Sequence, residues 1–395
     1  MADKVFQRER EFTKAYQRHI NDHPAIREAA CLKAQYPGAL GPIEAGDLFA
    51  GRIRPAAVGF TPDEWGQTAF GYYHLPARFK EVLQRSDLSP EDRAEIEAML
   101  EFWSKENTST KVRARYTPEM LEVMPSDNWM NEPGMVFPLY RLCGAYPNYG
   151  KLVTLGLPGL RQEIRSAQEN AERAGGDGEL FAGMIAALDV LADSCQFYAD
   201  EALRLADTAG AERARELRIM AEVLQAIKTE APRTFREAIQ LMWLYSIVAD
   251  VRNCGRMDVY LGDFLAADLD GGRLTEAEAL KLLQSLWQLM ADRNTRVHGR
   301  VIIGGKGRPN EANADRFALL AMEATRTVLE IEPQLSLRFY EGMNPALMEK
   351  ALEVIGEGRT YPILYNDDVN IPAVEHAFEL PQEEAEQYVP FGCGE

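Results

Sequence analysis

The last hundred residues alternate short apolar runs with helix-length stretches, and this alternation constrains the fold more than any other feature. Arg300-Val301-Ile302-Ile303 runs into Gly304-Gly305, and Gln334 to Tyr340 alternates with period two. Tyr361-Pro362-Ile363-Leu364-Tyr365 stops at the turn Asn366-Asp367-Asp368. Helices of roughly 12–18 residues fit between these strands, which predicts an α/β layout. Upstream, the sequence predicts one helix over 6–35, closed by Tyr36-Pro37-Gly38. Ser89-Pro90-Glu91-Asp92 starts another that runs through Trp103. A helical hairpin spans 179–228 with a break near Thr208-Ala209-Gly210, then come helices at 234–249 and from Thr275 to Ala291. Residues 40–75 and 126–150 are rich in loop signals, and no linker or repeat divides residues 1–395.

Charge and cysteine usage exclude several function classes. The formal net charge is −18, with 61 acidic and 43 basic residues, and no Lys/Arg cluster offers a face to nucleic acid. Cys31, Cys143, Cys195, Cys254 and Cys393 are odd in number and lack a CxxC pair, so neither a disulfide framework nor a bound-metal set is expected. The polar N-terminus is no signal peptide, and no apolar run approaches a membrane span in length. Together these point to a reducing compartment, the cytoplasm.

The chemistry-bearing motif is Gly392-Cys393-Gly394-Glu395. Flanking glycines leave the thiol little steric cover, and a carboxylate two residues on can serve it as a base. A buried structural cysteine beside a surface acid is the bland alternative for such a tetrapeptide. Gly304-Gly305-Lys306-Gly307 lacks the Gly-Lys-Ser/Thr of a phosphate loop and is read as a turn.

Several blocks, in order, resemble the glycyl radical enzymes, the group of pyruvate formate-lyase and the B12-independent diol dehydratases. They are Gly46-Asp47-Leu48-Phe49-Ala50-Gly51, Pro232 to Trp243, Gly255-Arg256-Met257-Asp258-Val259-Tyr260-Leu261, Ser336-Leu337-Arg338 and Tyr361 to Val369. The resemblance runs from about residue 6 to 395. It implies a helix-wrapped half of a ten-stranded α/β barrel with the cysteine loop at its centre. It implies that Cys393 becomes a thiyl radical that takes hydrogen from substrate, and that Glu395 is the base. The implied cofactor is a glycyl radical, installed by an iron–sulfur activase that uses S-adenosylmethionine. The implied reaction is C–O, C–N or C–C cleavage of a small polar molecule by a homodimer. Acyl transfer of the pyruvate formate-lyase type and a non-catalytic binding subunit stay open as alternatives.

Two departures from the family pattern matter. Where the diol dehydratases carry a His-Ser pair that binds substrate hydroxyls, this chain has Asp250 and Val251, followed by Arg252. Asp250 and Arg252 either contact a differently charged substrate or pair with each other, and Tyr340 is a further candidate for the pocket. Arg256 and Asp258 are expected to be a structural pair or cap. The family's Arg-Val-x-Gly-aromatic loop, whose glycine stores the radical, is expected beyond residue 395. Arg296-Val297-His298-Gly299 precedes the cysteine and lacks the aromatic residue, so it is read as a chance match. These expectations add up to an enzyme inactive without that loop and in need of a second chain carrying it.

Overall fold

The computed structural model describes residues 5–54, 56–60, 71–123, 146–293 and 299–390. The chain divides into two compact units. One comprises 1–40, 54–142 and 164–190, the other 41–53, 143–163 and 191–395.

The first unit is built on helices Gln7–Arg18, Pro24–Gln35 and Pro90–Glu106 and on a small antiparallel pair, β1 (Val58–Phe60) and β2 (Tyr72–His74). The single helix expected over 6–35 is therefore two. Pro24 cannot continue a preceding helix because it lacks an N–H and crowds the residue before it. It sits instead in the first turn of the second helix, with His23 as the cap. The two strands fall in a stretch read as loop from its prolines and glycines. Phe12, Tyr16, Cys31, Tyr72 and Trp103 form the core, and the Trp103 indole donates to Thr13 Oγ1 at 2.8 Å.

The second unit holds a four-stranded parallel sheet in the order β3 (Asn253–Arg256), β4 (Arg300–Gly304), β5 (Gln334–Phe339), β6 (Ile363–Asn366). Parallel neighbours need crossovers. Helices Met257–Asp270 and Glu276–Asp292, then Glu311–Thr327, then Pro345–Gly356 supply them. The α/β layout legible in the sequence is thus present, although β3 was not recognised. Its four residues, Asn-Cys-Gly-Arg, carry no β-branched or aromatic side chain to announce a strand.

Alternation along the strands sorts the side chains. Val301, Ile303, Leu335 and Leu337 are fully buried on one face, where helices pack on the sheet. Arg300, Ser336 and Arg338 are equally buried on the other, with Gln334 beside them. A sheet this polar on a dry face has to satisfy its charges internally.

Several helix ends follow the sequence signals. Thr234 with Glu237 and Thr275 with Glu278 close capping boxes at the starts of Phe235–Val248 and Glu276–Asp292. Helix Phe235–Val248 is buried nearly all round and holds a loop: Gln240 accepts from Ala50 N and donates to Ala50 O, and Trp243 donates to Gly51 O at 2.9 Å. Gly51 has φ 135°, and a Cβ there would strike the Trp243 ring. Contrary to the sequence reading, helix Glu179–Ala206 is long and apolar enough to cross a membrane by length and composition. Cys195, Tyr198, Ala199 and Ala202 on it are fully buried, while 33% of its apolar window is buried.

Candidate active site

The polar face of the sheet carries two clusters, one at each end of the strands. At the C-terminal end the organising group is Arg338. Its Nε and Nη2 donate to the two oxygens of Asp367, each at 2.9 Å, and both side chains are fully buried. Arg338 also donates to Tyr388 O at 2.9 Å and Glu386 O at 3.0 Å. The Tyr388 ring lies 3.9 Å from the guanidinium, and its hydroxyl donates to Asp367 Oδ1 at 2.7 Å. Burial pushes the Tyr388 phenol up to about 12, so it is a donor at any ordinary pH.

Arg256 completes this clamp. It donates to Glu386 O at 3.0 Å, Gly304 O at 3.3 Å and Lys306 O at 2.7 Å. Burial, then the neighbouring Arg338, lowers its pKa to about 10. Asp258 faces a different partner. It accepts from Gly304 N at 2.7 Å and from Arg308 Nη1 at 3.3 Å, and burial raises its carboxyl. Arg256 and Asp258 are thus structural, as expected, but each works with other groups rather than as a pair. The net result is that residues 386–388, five to seven before Cys393, are fixed by two buried arginines.

The N-terminal end is built differently. Asp250 has φ 52°, a left-handed conformation uncommon for a residue with a Cβ. It accepts from Arg293 Nη2, while Arg293 Nη1 donates to Val251 O at 2.8 Å. Arg252 comes only within 3.7 Å of Asp250, too far for a hydrogen bond. Its side chain is 2% exposed, and its Nε and Nη1 have no hydrogen-bond partner among the described residues. Arg300 reaches Ser336 Oγ at 3.2 Å, Gln334 Oε1 at 3.1 Å and Tyr365 OH at 3.4 Å.

Glu332 stands just before β5 at this end. Gln334 Nε2 donates to its Oε1 at 3.4 Å, and its Oε2 lies against Gly299 with no well-formed hydrogen bond. Burial raises its carboxyl to about 7, opposed by Arg300, the amides of Gln334 and Gly299, and Arg252.

The sequence-predicted residues therefore separate. Cys393 and Glu395 lie outside the described residues, as do Cys143 and residues 294–298. Asp250 and Arg252 come together at the N-terminal end of the strands. Tyr340 follows the opposite end of β5 and does not join them. Its hydroxyl donates to Glu311, and it lines an open pocket of about 800 Å³ with Gly305, Lys306, Gly307 and Gln387. Sequence reasoning missed Arg293, Glu332, Asp367 and Tyr388. Asp367 was seen only as a turn residue, and nothing in a single sequence ties Tyr388 to Arg338 across 50 positions.

A family model described as "Pyruvate formate lyase-like" matches residues 2–395. "Probable dehydratase YbiW" of Escherichia coli K12 is 24% identical over 98% of this chain and 51% of its own length. The (2S)-3-sulfopropanediol dehydratase of Klebsiella oxytoca is 26% identical over 77% of this chain and 40% of its own. Among solved structures, the glycerol-bound B12-independent glycerol dehydratase of Clostridium butyricum superposes with TM-score 0.77 at 20% identity, covering 98% of this chain and 51% of that one. A glycyl radical enzyme from Archaeoglobus fulgidus gives TM-score 0.75 at 20% identity, covering 98% and 52%. The chain spans about half the length of these proteins, and the structural likeness shows that the fold is that of the glycyl radical enzyme barrels.

Proposed function

Because this chain belongs to the pyruvate formate lyase-like family, we propose that it supplies the cysteine-bearing half of a glycyl radical lyase or dehydratase acting on a small polar molecule. The observation that carries this reading is the clamp. Arg256 and Arg338 hold residues 386–388 on the polar face of the sheet, so the residues that follow start from a rigid base. A reacting thiol needs placement to within fractions of an ångström, and rigid lead-in chain provides it.

In this reading a glycyl radical supplies the unpaired electron that Cys393 uses. That glycine lies outside these 395 residues, in a continuation of this chain or in a second chain, and an S-adenosylmethionine activase would generate the radical. Cys393, its own S–H hydrogen given up to that radical, would take a hydrogen atom from a substrate C–H, forming S–H anew and leaving the unpaired electron on carbon. A radical carbon acidifies the hydroxyl it carries. Glu395 takes that proton while the neighbouring C–O or C–N bond breaks and the leaving group departs with the bonding pair. The product radical recovers its hydrogen atom from Cys393. The assembly would work as a homodimer in an anaerobic cytoplasm, where the buried thiols Cys31, Cys195 and Cys254 stay reduced.

Anaerobic turnover with the activase and the glycine-bearing segment, over a panel of small diols, hydroxy acids and sulfonates, tests this. Cys393→Ser should abolish turnover, and Glu395→Gln should lower kcat by about 10²–10⁴-fold. Full turnover in Cys393→Ser would refute the role of the thiol.

A further inference from the structure

Glu332 is the exception among the buried carboxylates of the described residues. The others each accept at least one hydrogen bond of 2.8 Å or less, as Asp258, Asp315 and Asp367 do. Glu332 is 6% exposed and its Oε1 accepts from Gln334 Nε2 at only 3.4 Å. Its Oε2 has no hydrogen-bond partner among the described residues. A carboxyl buried on such terms is tolerated when neutral and costly when ionised. Arg300 and the Gly299 amide face it from β4, Gln334 from β5, Arg252 from just ahead of β3, and the Cys254 thiol from β3 itself. Both arginines favour its charged form, but burial outweighs them. Burial also pushes the Cys254 thiol up to about 12, so Glu332 is the member of this set that titrates between pH 4.5 and 8.

The same side chain has a mechanical position. Residues 328–333 form a strap between helix Glu311–Thr327 and β5. Glu332 and Pro333 are its buried residues, while Leu329 and Ile331 stand 75% and 72% exposed. On the backbone, Arg359 Nη2 donates to Val328 O at 2.9 Å and Glu330 O at 3.1 Å. The strap is thus tied by one arginine along its main chain and by the Glu332 carboxyl on its inner side.

We propose that Glu332 is a proton-operated anchor: with its proton it holds strap 328–333 on the N-terminal end of the sheet, and without it the carboxylate moves to solvent and the strap opens locally. The sign follows from linkage. The closed carboxyl is raised from 4.5 to about 7, and exposure on opening returns it to its ordinary value. Opening is therefore least at pH 4.5 and below, grows by up to about tenfold per pH unit from there to about 7, and levels off above. This goes beyond the lyase reading and does not depend on it, since neither ligand nor radical takes part.

The test is the initial rate at which a glutamate-specific protease cuts the Glu330–Ile331 bond of the 395-residue chain, read by mass spectrometry between pH 5 and 8. Dividing by the rate for a peptide of residues 327–334 removes the protease's own pH profile, and the ratio then tracks the open population. The ratio should rise by up to about 10²-fold from pH 5 to 7 and then level off. Glu332→Gln cannot titrate and should give a flat ratio. Arg359→Gln loosens the strap but keeps the carboxyl, so it should raise the ratio at every pH and preserve the rise. That variant and the parent curve keep the test decisive even where Glu332→Gln folds poorly. His298, the sequence neighbour of Gly299, is of a residue type that titrates in the same range, and His298→Asn should leave the rise in place. A flat ratio in the parent chain would overturn the proposal. So would a rise that persists in Glu332→Gln or disappears in His298→Asn.

Discussion

The two ends of the sheet's polar face use the same residue types for opposite purposes. At the C-terminal end Arg338, Asp367 and Tyr388 satisfy one another, and the spare donors of Arg338 and Arg256 go to backbone carbonyls of residues 386 and 388. At the N-terminal end Arg252 keeps two donors and Glu332 one oxygen without a hydrogen-bond partner among the described residues. A closed network rigidifies, because every alternative position of its members breaks a buried hydrogen bond. An open one retains binding capacity at a cost in stability. The contrast anchors the backbone of residues 386–388 at the first end and leaves buried polar atoms unanswered at the second.

The largest way to break this contrast is at the closed end. Asp367→Ala leaves Arg338 buried and uncompensated and should cost about 3–5 kcal/mol in urea unfolding. A loss below about 1 kcal/mol would mean the clamp is not the rigid element it is taken for.

The open end makes a prediction in pH. The Glu332 carboxyl is raised from 4.5 to about 7, so the folded chain binds this proton more tightly than the unfolded chain. Its stabilising contribution is fully present below pH 4.5 and is lost as pH rises through about 7. The amount is about 3 kcal/mol at ~1.4 kcal/mol per pKa unit, as an upper figure. Glu332→Gln cannot titrate, so its stability relative to the parent chain should rise by up to that amount between pH 4.5 and pH 8. Parallel curves for the two proteins would show that the carboxyl titrates normally.

A smaller effect sharpens the closed end. Tyr388→Phe removes the hydroxyl on Asp367 but keeps the ring over Arg338, and should cost about 1.5–3 kcal/mol. The smallest is a control away from both ends. Thr275→Ala opens an exposed capping box and should cost about 1 kcal/mol with no pH dependence between 5 and 8.

Much of the architecture was legible because local signals and tertiary structure agree. Thr275, Thr234 and Ser89 start helices where a cap, acids and apolar spacing coincide. The β4 and β5 runs are apolar or alternating enough to declare themselves. The Gly-Arg block hid β3 because the strand is four residues long and carries no β-branched or aromatic side chain. His23-Pro24 hid a helix break inside a continuous run of helix-forming residues. Asp250 and Arg252 drew notice in the sequence only as departures from a family pattern. Arg293, Glu332, Asp367 and Tyr388 join the clusters through folding across long separations, and Tyr340 was drawn in by its sequence neighbours though β5 carries it to the other end.

Substrate deuterated at the carbon beside its leaving group provides the most direct test of the central claim, with label followed into product by mass spectrometry. Hydrogen carried on Cys393 predicts that the label leaves that carbon and returns within the product, and that Cys393→Ser shows neither turnover nor transfer. Product that forms with the label still on its original carbon, or transfer that survives loss of the thiol, would contradict it.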